Sequence, residues 1–136
     1  MFEVRVSAHF AAAHFLKDYN GKCENLHGHN YKVYAHVRGE KLDEGGMLVD
    51  FAVLKSCLKE VCKMVDHTNL NDNPFFGQNP SAELIAKFFY DNLIQKLKER
   101  KLDLSSNSPD KICLYAVDVF ETDTNRARFT VGYDES

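Results

Sequence analysis

Apolar and polar residues alternate at the start of the chain. The apolar positions share one parity: Phe2, Val4, Val6, Ala8 and Phe10. A period of two residues predicts a half-buried β-strand over residues 2–13. If the phase continues, His14 lies on the apolar side of this strand.

The same alternation returns over residues 27–38. One parity holds His27, His29, Tyr31, Val33, Ala35 and Val37, and polar residues dominate the other. This pattern predicts a second strand whose inward phase includes both His27 and His29. His9 and His36 fall on polar phases of the two strands, and we expect them to face solvent.

The middle of the chain changes to helical periodicity. Asp50 is a suitable N-cap, and it precedes an apolar stripe at 3-4-3-4 spacing: Phe51, Leu54, Leu58, Val61 and Val65. Residues 66–80 are irregular, and Pro80 with Asn79 as cap predicts the start of a second helix. The buried face of that helix is expected to contain Ile85, Phe88, Phe89, Leu93 and Leu97.

Two further strands are predicted at residues 111–121 and 126–133, and the Thr-Asp-Thr-Asn turn between them favours a hairpin. The order ββααββ indicates an α+β domain over residues 1–136. In it, a four-stranded antiparallel sheet carries both helices on one face. Because a small open sheet has unpaired edges, we expect the chain to form oligomers.

Composition and charge narrow the classes of function. The 136 residues are 44% hydrophobic and 27% charged, as in a globular protein, and the net charge of −3 argues against a nucleic-acid surface. No apolar run reaches the length of a membrane span, and the first residues lack the core of a signal peptide. These features predict a cytoplasmic protein with neither a nucleic-acid nor a membrane partner.

Three imidazoles form the strongest chemical signal. His27 and His29 are two residues apart, so in a strand they point to one face about 6.5–7 Å apart at the backbone. His14, from the inward phase of the first strand, would add a third nitrogen. Three-histidine zinc sites usually keep a fourth position open for water or substrate, so we expect catalytic zinc here.

Other residues could supply acid–base chemistry. Cys23 lies in a polar loop beside a lysine and close to the predicted cation, where a lowered thiol pKa would make it a base; the alternative is a spare loop cysteine. Asp66 could orient the imidazole of His67, which would then carry a proton. The alternative is that the two residues simply end the first helix. Glu121 could bind a planar N–H edge such as an aminopyrimidine, or be a solvated strand-end charge.

The other three cysteines, with no C-x2-C pair among them, are expected to be buried small hydrophobes rather than disulfide partners: Cys57, Cys62 and Cys113.

Taken together, these residues resemble the 6-pyruvoyl tetrahydropterin synthase / 6-carboxytetrahydropterin synthase family. The resemblance extends over six segments: Phe10–His14, Cys23–Tyr31, Gly46–Phe51, Asp66–Asn71, Asn79–Glu83 and Val119–Thr122. It implies the tunnelling fold (T-fold), a homohexamer of two stacked trimers with active sites at subunit interfaces, and zinc on the three histidines. It also implies Cys23 as the base, Asp66 and His67 as relay partners across a subunit boundary, and Glu121 as the pterin anchor.

The resemblance leaves the branch within the family open. The implied substrate is 7,8-dihydroneopterin triphosphate. The C-x3-H-G-H spacing from Cys23 is similar to that of the 6-carboxytetrahydropterin branch. Enzymes of this branch make the queuosine precursor and release acetaldehyde and triphosphate. The alternatives are 6-pyruvoyl-tetrahydropterin synthase, which the Val119–Asn125 segment also resembles, and side-chain cleavage to 6-hydroxymethyl-dihydropterin. Glu24 would support the cleavage as a second activity, unless it is only a loop charge. A non-catalytic pterin- or purine-binding module is the alternative from another class.

Overall fold

The computed structural model describes residues 1–16, 25–77 and 79–132. Five strands and two helices follow one another: β1 Phe2–His14, β2 His27–Gly39, α1 Phe51–Val65, β3 Thr68–Asn69, α2 Ala82–Glu99, β4 Cys113–Thr122 and β5 Asn125–Thr130. Two short 3₁₀ turns, Leu70–Asp72 and Pro74–Phe76, separate β3 from α2. The α+β class is confirmed. The bounds differ slightly from those predicted, and Tyr133, placed in the last predicted strand, lies outside the described residues.

The prediction of a four-stranded antiparallel sheet is wrong. The sheet is mixed and five-stranded, in the order β3-β1-β2-β4-β5, and β3 runs parallel to β1. A strand of two residues is too short to show alternation. It forms because the backbone N–H of His67 reaches the carbonyl oxygen of Ala11 at 2.6 Å, which brings the chain against the edge of β1.

The core lies between the helices and one face of the sheet. Alternate residues of β1, β2 and β4 pack there with both helices, including Phe10, Tyr31, Val33 and Val117. The predicted apolar face of α2 is buried as expected. On α1, Phe51 is 56% exposed because it is the first helical residue, and Cys57 and Cys62 fill the core in addition to the predicted stripe.

Caps fix where each helix begins. The Asp50 carboxylate accepts the N–H of Ala52 at 2.8 Å, which confirms it as the N-cap of α1. The second helix begins two residues later than predicted, because Ser81 is its N-cap and accepts the N–H of Leu84 at 3.2 Å. Pro80 precedes this helix, and its carbonyl oxygen contacts His14.

The opposite face of the sheet carries a buried ion cluster. Arg128 donates to Asp118 through Nε at 2.7 Å and through Nη2 at 2.9 Å, and His36 Nε2 lies 2.7 Å from the same carboxylate. His36 is only 7% exposed, so the expectation that it faces solvent is wrong; His9 is exposed as predicted. The alternation of polar and apolar residues predicted the correct face for His36 but could not show that side chains of neighbouring strands cover it.

In the described part of the chain, no helix combines the length and the apolarity needed to cross a bilayer.

Candidate metal centre

Three histidines converge where β1 ends and β2 begins. The strand register pairs His14 with His27 and Ala12 with His29, so all three rings lie on the helix side of the sheet. The ring centroids are 4.7 Å apart for His14 and His27, 4.8 Å for His27 and His29, and 5.2 Å for His14 and His29. The sequence prediction that all three histidines lie on the inward phases of the two strands is confirmed.

Backbone carbonyls orient two of the rings. The Nδ1 of His14 lies 2.9 Å from the carbonyl oxygen of Pro80, and the Nδ1 of His27 lies 2.9 Å from that of Asn25. A carbonyl only accepts, so each Nδ1 carries the hydrogen and each neutral ring presents an unprotonated Nε2. The two Nε2 atoms lie 3.1 Å apart. Two lone pairs at this distance favour a cation between them.

Glu121 completes the group from the end of β4. Its Oε1 lies 2.8 Å from His29 Nε2 and 3.4 Å from His14 Nε2. One donor atom from each of the four residues lies within 4.8 Å of the others. A set of imidazoles with one carboxylate suits Zn²⁺, so these residues fit the predicted metal.

Sequence reasoning gave Glu121 a substrate-binding role and did not predict its place among the histidines. The signal was present, because Val117, Val119 and Glu121 share a parity and the two valines are in the core. The carbonyl partners of His14 and His27 were also missed. Backbone groups leave no trace in side-chain patterns.

Tyr31 forms the floor beneath the histidines. Its ring stacks on Phe10 at 4.8 Å and lies 5.6 Å from the His29 ring. Burial, with a smaller contribution from the charge of Glu121, raises the pKa of the Tyr31 hydroxyl well above its usual range. The hydroxyl is buried, with no hydrogen-bond partner among the described residues. It is a neutral donor close to the metal group.

Asp66 and His67 form a carboxylate–imidazole pair at the edge of the sheet. The two side chains meet at 3.0 Å through Asp66 Oδ2 and His67 Nδ1, and Asp66 Oδ1 accepts the N–H of Ala11 at 2.9 Å. This backbone hydrogen bond is the main reason that the pKa of Asp66 is lowered, and the bond from His67 adds to it. His67 is 82% exposed at its side chain and has a positive φ of 57°. The carboxylate orients the imidazole and leaves its other nitrogen facing outward.

The pair does not contact the metal group within one chain. Across the described residues, neither a hydrogen bond nor an ion pair connects Asp66 or His67 with the histidines or Glu121. However, His29 and His67 both line one shallow cavity of about 470 Å³, together with Ala11–Ala13, Gly28, Asn30, Thr68 and Asn69. Cys23 and Glu24, the other predicted site residues, lie outside the described residues.

Comparison with known proteins decides the family. The family model for 6-pyruvoyl tetrahydropterin synthase matches residues 3–131, almost the whole chain. The chain belongs to the 6-pyruvoyl tetrahydropterin synthase family. The resemblance inferred from the sequence motifs is therefore confirmed.

Members of this family with two different names are similar to the chain. The 6-carboxy-5,6,7,8-tetrahydropterin synthase of Bacillus subtilis (strain 168) is 38% identical over 130 residues, which cover 91% of this chain and 82% of that protein. The 6-pyruvoyl tetrahydrobiopterin synthase of Homo sapiens is 37% identical over 131 residues, which cover 85% and 82%. Identity at this level does not separate the two branches.

A solved structure of the family supports the fold. The 6-pyruvoyl tetrahydropterin synthase of Caenorhabditis elegans superimposes with a TM-score of 0.76 at 28% identity, and the match covers 96% of each chain. The arrangement of two helices on a mixed sheet is thus an architecture found in this family.

Proposed function

We propose that this chain is a zinc-dependent lyase that converts 7,8-dihydroneopterin triphosphate to 6-carboxy-5,6,7,8-tetrahydropterin, with release of acetaldehyde and triphosphate. The observation that carries the proposal is the convergence of His14, His27 and His29 with their Nε2 atoms turned inward. The C-x3-H-G-H spacing from Cys23 favours the 6-carboxy branch. The product would serve queuosine biosynthesis in the cytoplasm.

Each predicted site residue has a role in this proposal. His14, His27 and His29 would hold the zinc ion, which when bound would polarise the oxygens of the substrate side chain as a Lewis acid. Cys23, as thiolate, would remove a proton from the adjacent carbon. Asp66 would hold His67 in the orientation needed to relay that proton.

Glu121 has two roles to reconcile. Its carboxylate can accept two parallel N–H bonds from the amino-pyrimidine edge of the pterin, which would anchor the ring and orient the side chain. The same oxygen lies against His29 and His14. We propose that Glu121 is the pterin anchor. Its carboxylate would contact the histidines in the free protein and would bind the pterin edge instead when the substrate is present.

A hexamer would bring the two halves of the site together. Asp66 and His67 lie at the β3 edge of the sheet, and they share no contact with the metal group of their own chain in its described part. In the proposed homohexamer of two trimers, the pair from one chain would face the histidines of a neighbour, so each active site would lie at a subunit interface.

Product analysis tests the proposal. The zinc-loaded protein is incubated with 7,8-dihydroneopterin triphosphate, and the pterins are separated by chromatography. A 6-carboxy product with acetaldehyde supports the assignment. A 6-pyruvoyl product selects the other branch, and a 6-hydroxymethyl product selects cleavage and a role for Glu24. An unchanged substrate would contradict the lyase assignment and favour a non-catalytic pterin- or purine-binding module.

A variant of Cys23 tests the proposed base directly. Cys23→Ala should keep zinc at the wild-type ratio while turnover falls by at least about 100-fold, as expected when a general base is lost. Cys113→Ala, which removes a buried thiol far along the chain, serves as the control for loss of a sulfhydryl. Normal turnover in the Cys23 variant would exclude the thiol as base.

A further inference from the structure

Tyr31 carries a buried hydroxyl that the fold does not use. The side chain is 0% exposed, and its hydroxyl has no hydrogen-bond partner among the described residues. A buried donor without an acceptor loses its hydration with no compensation, so native proteins rarely keep one. Phenylalanine would fill the same space without this loss, as Phe10 does at the paired position of β1, where the two rings stack at 4.8 Å. Packing therefore explains the ring of Tyr31 and not its hydroxyl.

Two of the three histidines lie directly beside this residue. On β2, His29 comes two residues before Tyr31, so their side chains share a face, and their ring centroids are 5.6 Å apart. On β1, the ring of His14 lies 5.9 Å from the Tyr31 ring and is perpendicular to it. The buried hydroxyl thus belongs to the immediate surroundings of the metal group.

Glu121 flanks Tyr31 from the next strand. Lys32 of β2 pairs with Phe120 of β4. Because the two strands are antiparallel, the next residues along, Tyr31 and Glu121, are neighbours as well. The charge of Glu121 contributes to the raised pKa of the Tyr31 hydroxyl, so the hydroxyl lies within the field of this carboxylate. In the proposed function Glu121 leaves the histidines to bind the pterin edge, and that movement would open the hydroxyl to a ligand oxygen.

A hydroxyl in this position can recognise an oxygen of the ligand. A phenol is protonated at neutral pH and can donate one hydrogen bond. The proposed substrate carries hydroxyl oxygens on the side chain that would lie against the histidines, and each of them can accept such a bond. A buried donor that finds its acceptor only in the ligand also discriminates, because a ligand without that oxygen leaves the donor unpaired.

We infer that the Tyr31 hydroxyl donates a hydrogen bond to a hydroxyl oxygen of the substrate side chain. This bond selects a hydroxylated side chain and holds its reacting carbon in place for the base. The inference rests on the proposed function for the identity of the substrate. Tyr31 binds and orients the substrate, keeps its own proton, and is not a metal ligand.

Two pterins without a triphosphate group test the inference at the level of binding. Neopterin carries the hydroxylated side chain, and 6-methylpterin has the same ring without a side-chain oxygen. Both affinities are measured by pterin fluorescence on zinc-loaded wild type and Tyr31→Phe. We expect the variant to bind neopterin about tenfold more weakly and to change its affinity for 6-methylpterin less than about twofold. No loss for neopterin, or an equal loss for both ligands, would overturn the inference.

Tyr90→Phe is the matched control for loss of a tyrosine hydroxyl. Tyr90 is buried on α2, and its ring packs on Phe129. Phe129 pairs with Val117, four residues before Glu121 along β4. The control should bind both pterins like the wild type. A loss of neopterin affinity equal to that of Tyr31→Phe would contradict a specific contact.

Thermal unfolding separates a ligand-binding hydroxyl from a structural one. Tyr31→Phe removes a buried donor that lacks an acceptor in the free protein, so the metal-free variant should unfold at a Tm at least as high as that of the wild type. A lower Tm would show that the hydroxyl has a partner within the protein, against the inference. Zinc per chain should equal the wild-type value, and a loss would make the hydroxyl part of the metal site instead.

The two proposals fail in different ways. If the wild type makes no new pterin but Tyr31→Phe alone loses the preference for neopterin, the side-chain contact stands and the lyase assignment falls. If the wild type makes the 6-carboxy product, Tyr31→Phe should have a kcat/KM at least about tenfold lower. A variant that forms this product at the wild-type kcat/KM would leave the lyase standing and remove the hydroxyl from the substrate site.

Discussion

The hydrogen bonds that His14 and His27 form through Nδ1 leave their Nε2 atoms 3.1 Å apart, with the lone pairs facing each other. In the absence of a proton or a metal ion this arrangement is repulsive. The protein tolerates it because the Pro80 and Asn25 carbonyls fix the rings from outside. Such outer partners are typical of histidines that bind metals.

Loss of one ring should therefore remove the metal. His27→Ala deletes one of the three imidazoles, and zinc affinity should fall by more than the roughly 10–100-fold that loss of an outer hydrogen bond costs. His9→Ala, an exposed histidine of β1, is the matched control and should bind like the wild type. Zinc per chain after dialysis against a chelator measures both. An unchanged ratio in the His27 variant would refute the site.

His36 and Asp118 should make stability depend on pH. Burial lowers the pKa of His36 more than its bond to Asp118 raises it. Burial of Asp118 acts to raise its pKa, but the bonds from Arg128 and His36 together outweigh burial and lower it. Below about pH 6.5 the unfolded chain takes up a proton at His36 before the folded chain does, so stability falls as the pH falls; Asp118 adds a second loss below about pH 4.

His36→Asn tests this dependence, because the amide can still donate to Asp118 but does not titrate. Between pH 7 and pH 5, the wild type should lose more in Tm than the variant, with the metal removed from both. His9→Asn controls for loss of an exposed histidine. Parallel Tm curves for the wild type and the His36 variant would contradict the assignment.

At the scale of elements, the first turn of α1 depends on one side chain. The Asp50 carboxylate accepts the N–H of Ala52, and the first turn contains no other acidic residue. Asp50→Ala should lower the free energy of unfolding by about 1 kcal/mol, while Asp50→Asn, which can still cap, should change it much less. Denaturant titration gives both values. An equal loss in the two variants would mean that the negative charge, not the cap, stabilises the helix.

The ends of elements were predicted less well than their existence. Periodicity identified the four long strands and both helices, because each buries one face along many residues. The start of α2 was misplaced by two residues, since Asn79, Pro80 and Ser81 are all suitable near a helix start. Only the structure shows that Ser81 reaches the N–H of Leu84 and that Pro80 turns its carbonyl to His14.

At the scale of the whole molecule, an unpaired edge of β1 bears on the proposed hexamer. Ala11 turns its N–H and C=O away from β2 toward Asp66 and His67. Because strands alternate with a period of two, Ser7 points its backbone groups the same way, and β3 pairs only with Ala12 and Ala13. Within the described residues, the outer edge of β1 from 3 to 9 thus offers free hydrogen-bonding groups to another chain.

Ser7→Pro should disrupt assembly through this edge, because proline removes an outward N–H and cannot pair there. Light scattering after size exclusion should give the hexamer mass for the wild type and for Ser7→Ala, which keeps the N–H, and a smaller mass for Ser7→Pro. A hexamer that survives the proline would place the subunit contact elsewhere. A monomeric wild type would refute the hexamer itself.

The sequence alone determined the α+β class, the faces of the long elements, and the inward face on which the three histidines lie, because these follow from side-chain periodicity. It did not determine β3, the buried environment of His36 or the contact of Glu121 with the histidines. Those depend on backbone hydrogen bonds and on strand neighbours that are distant along the chain. Only the tertiary structure brings such groups together, since the register between strands decides which residues meet.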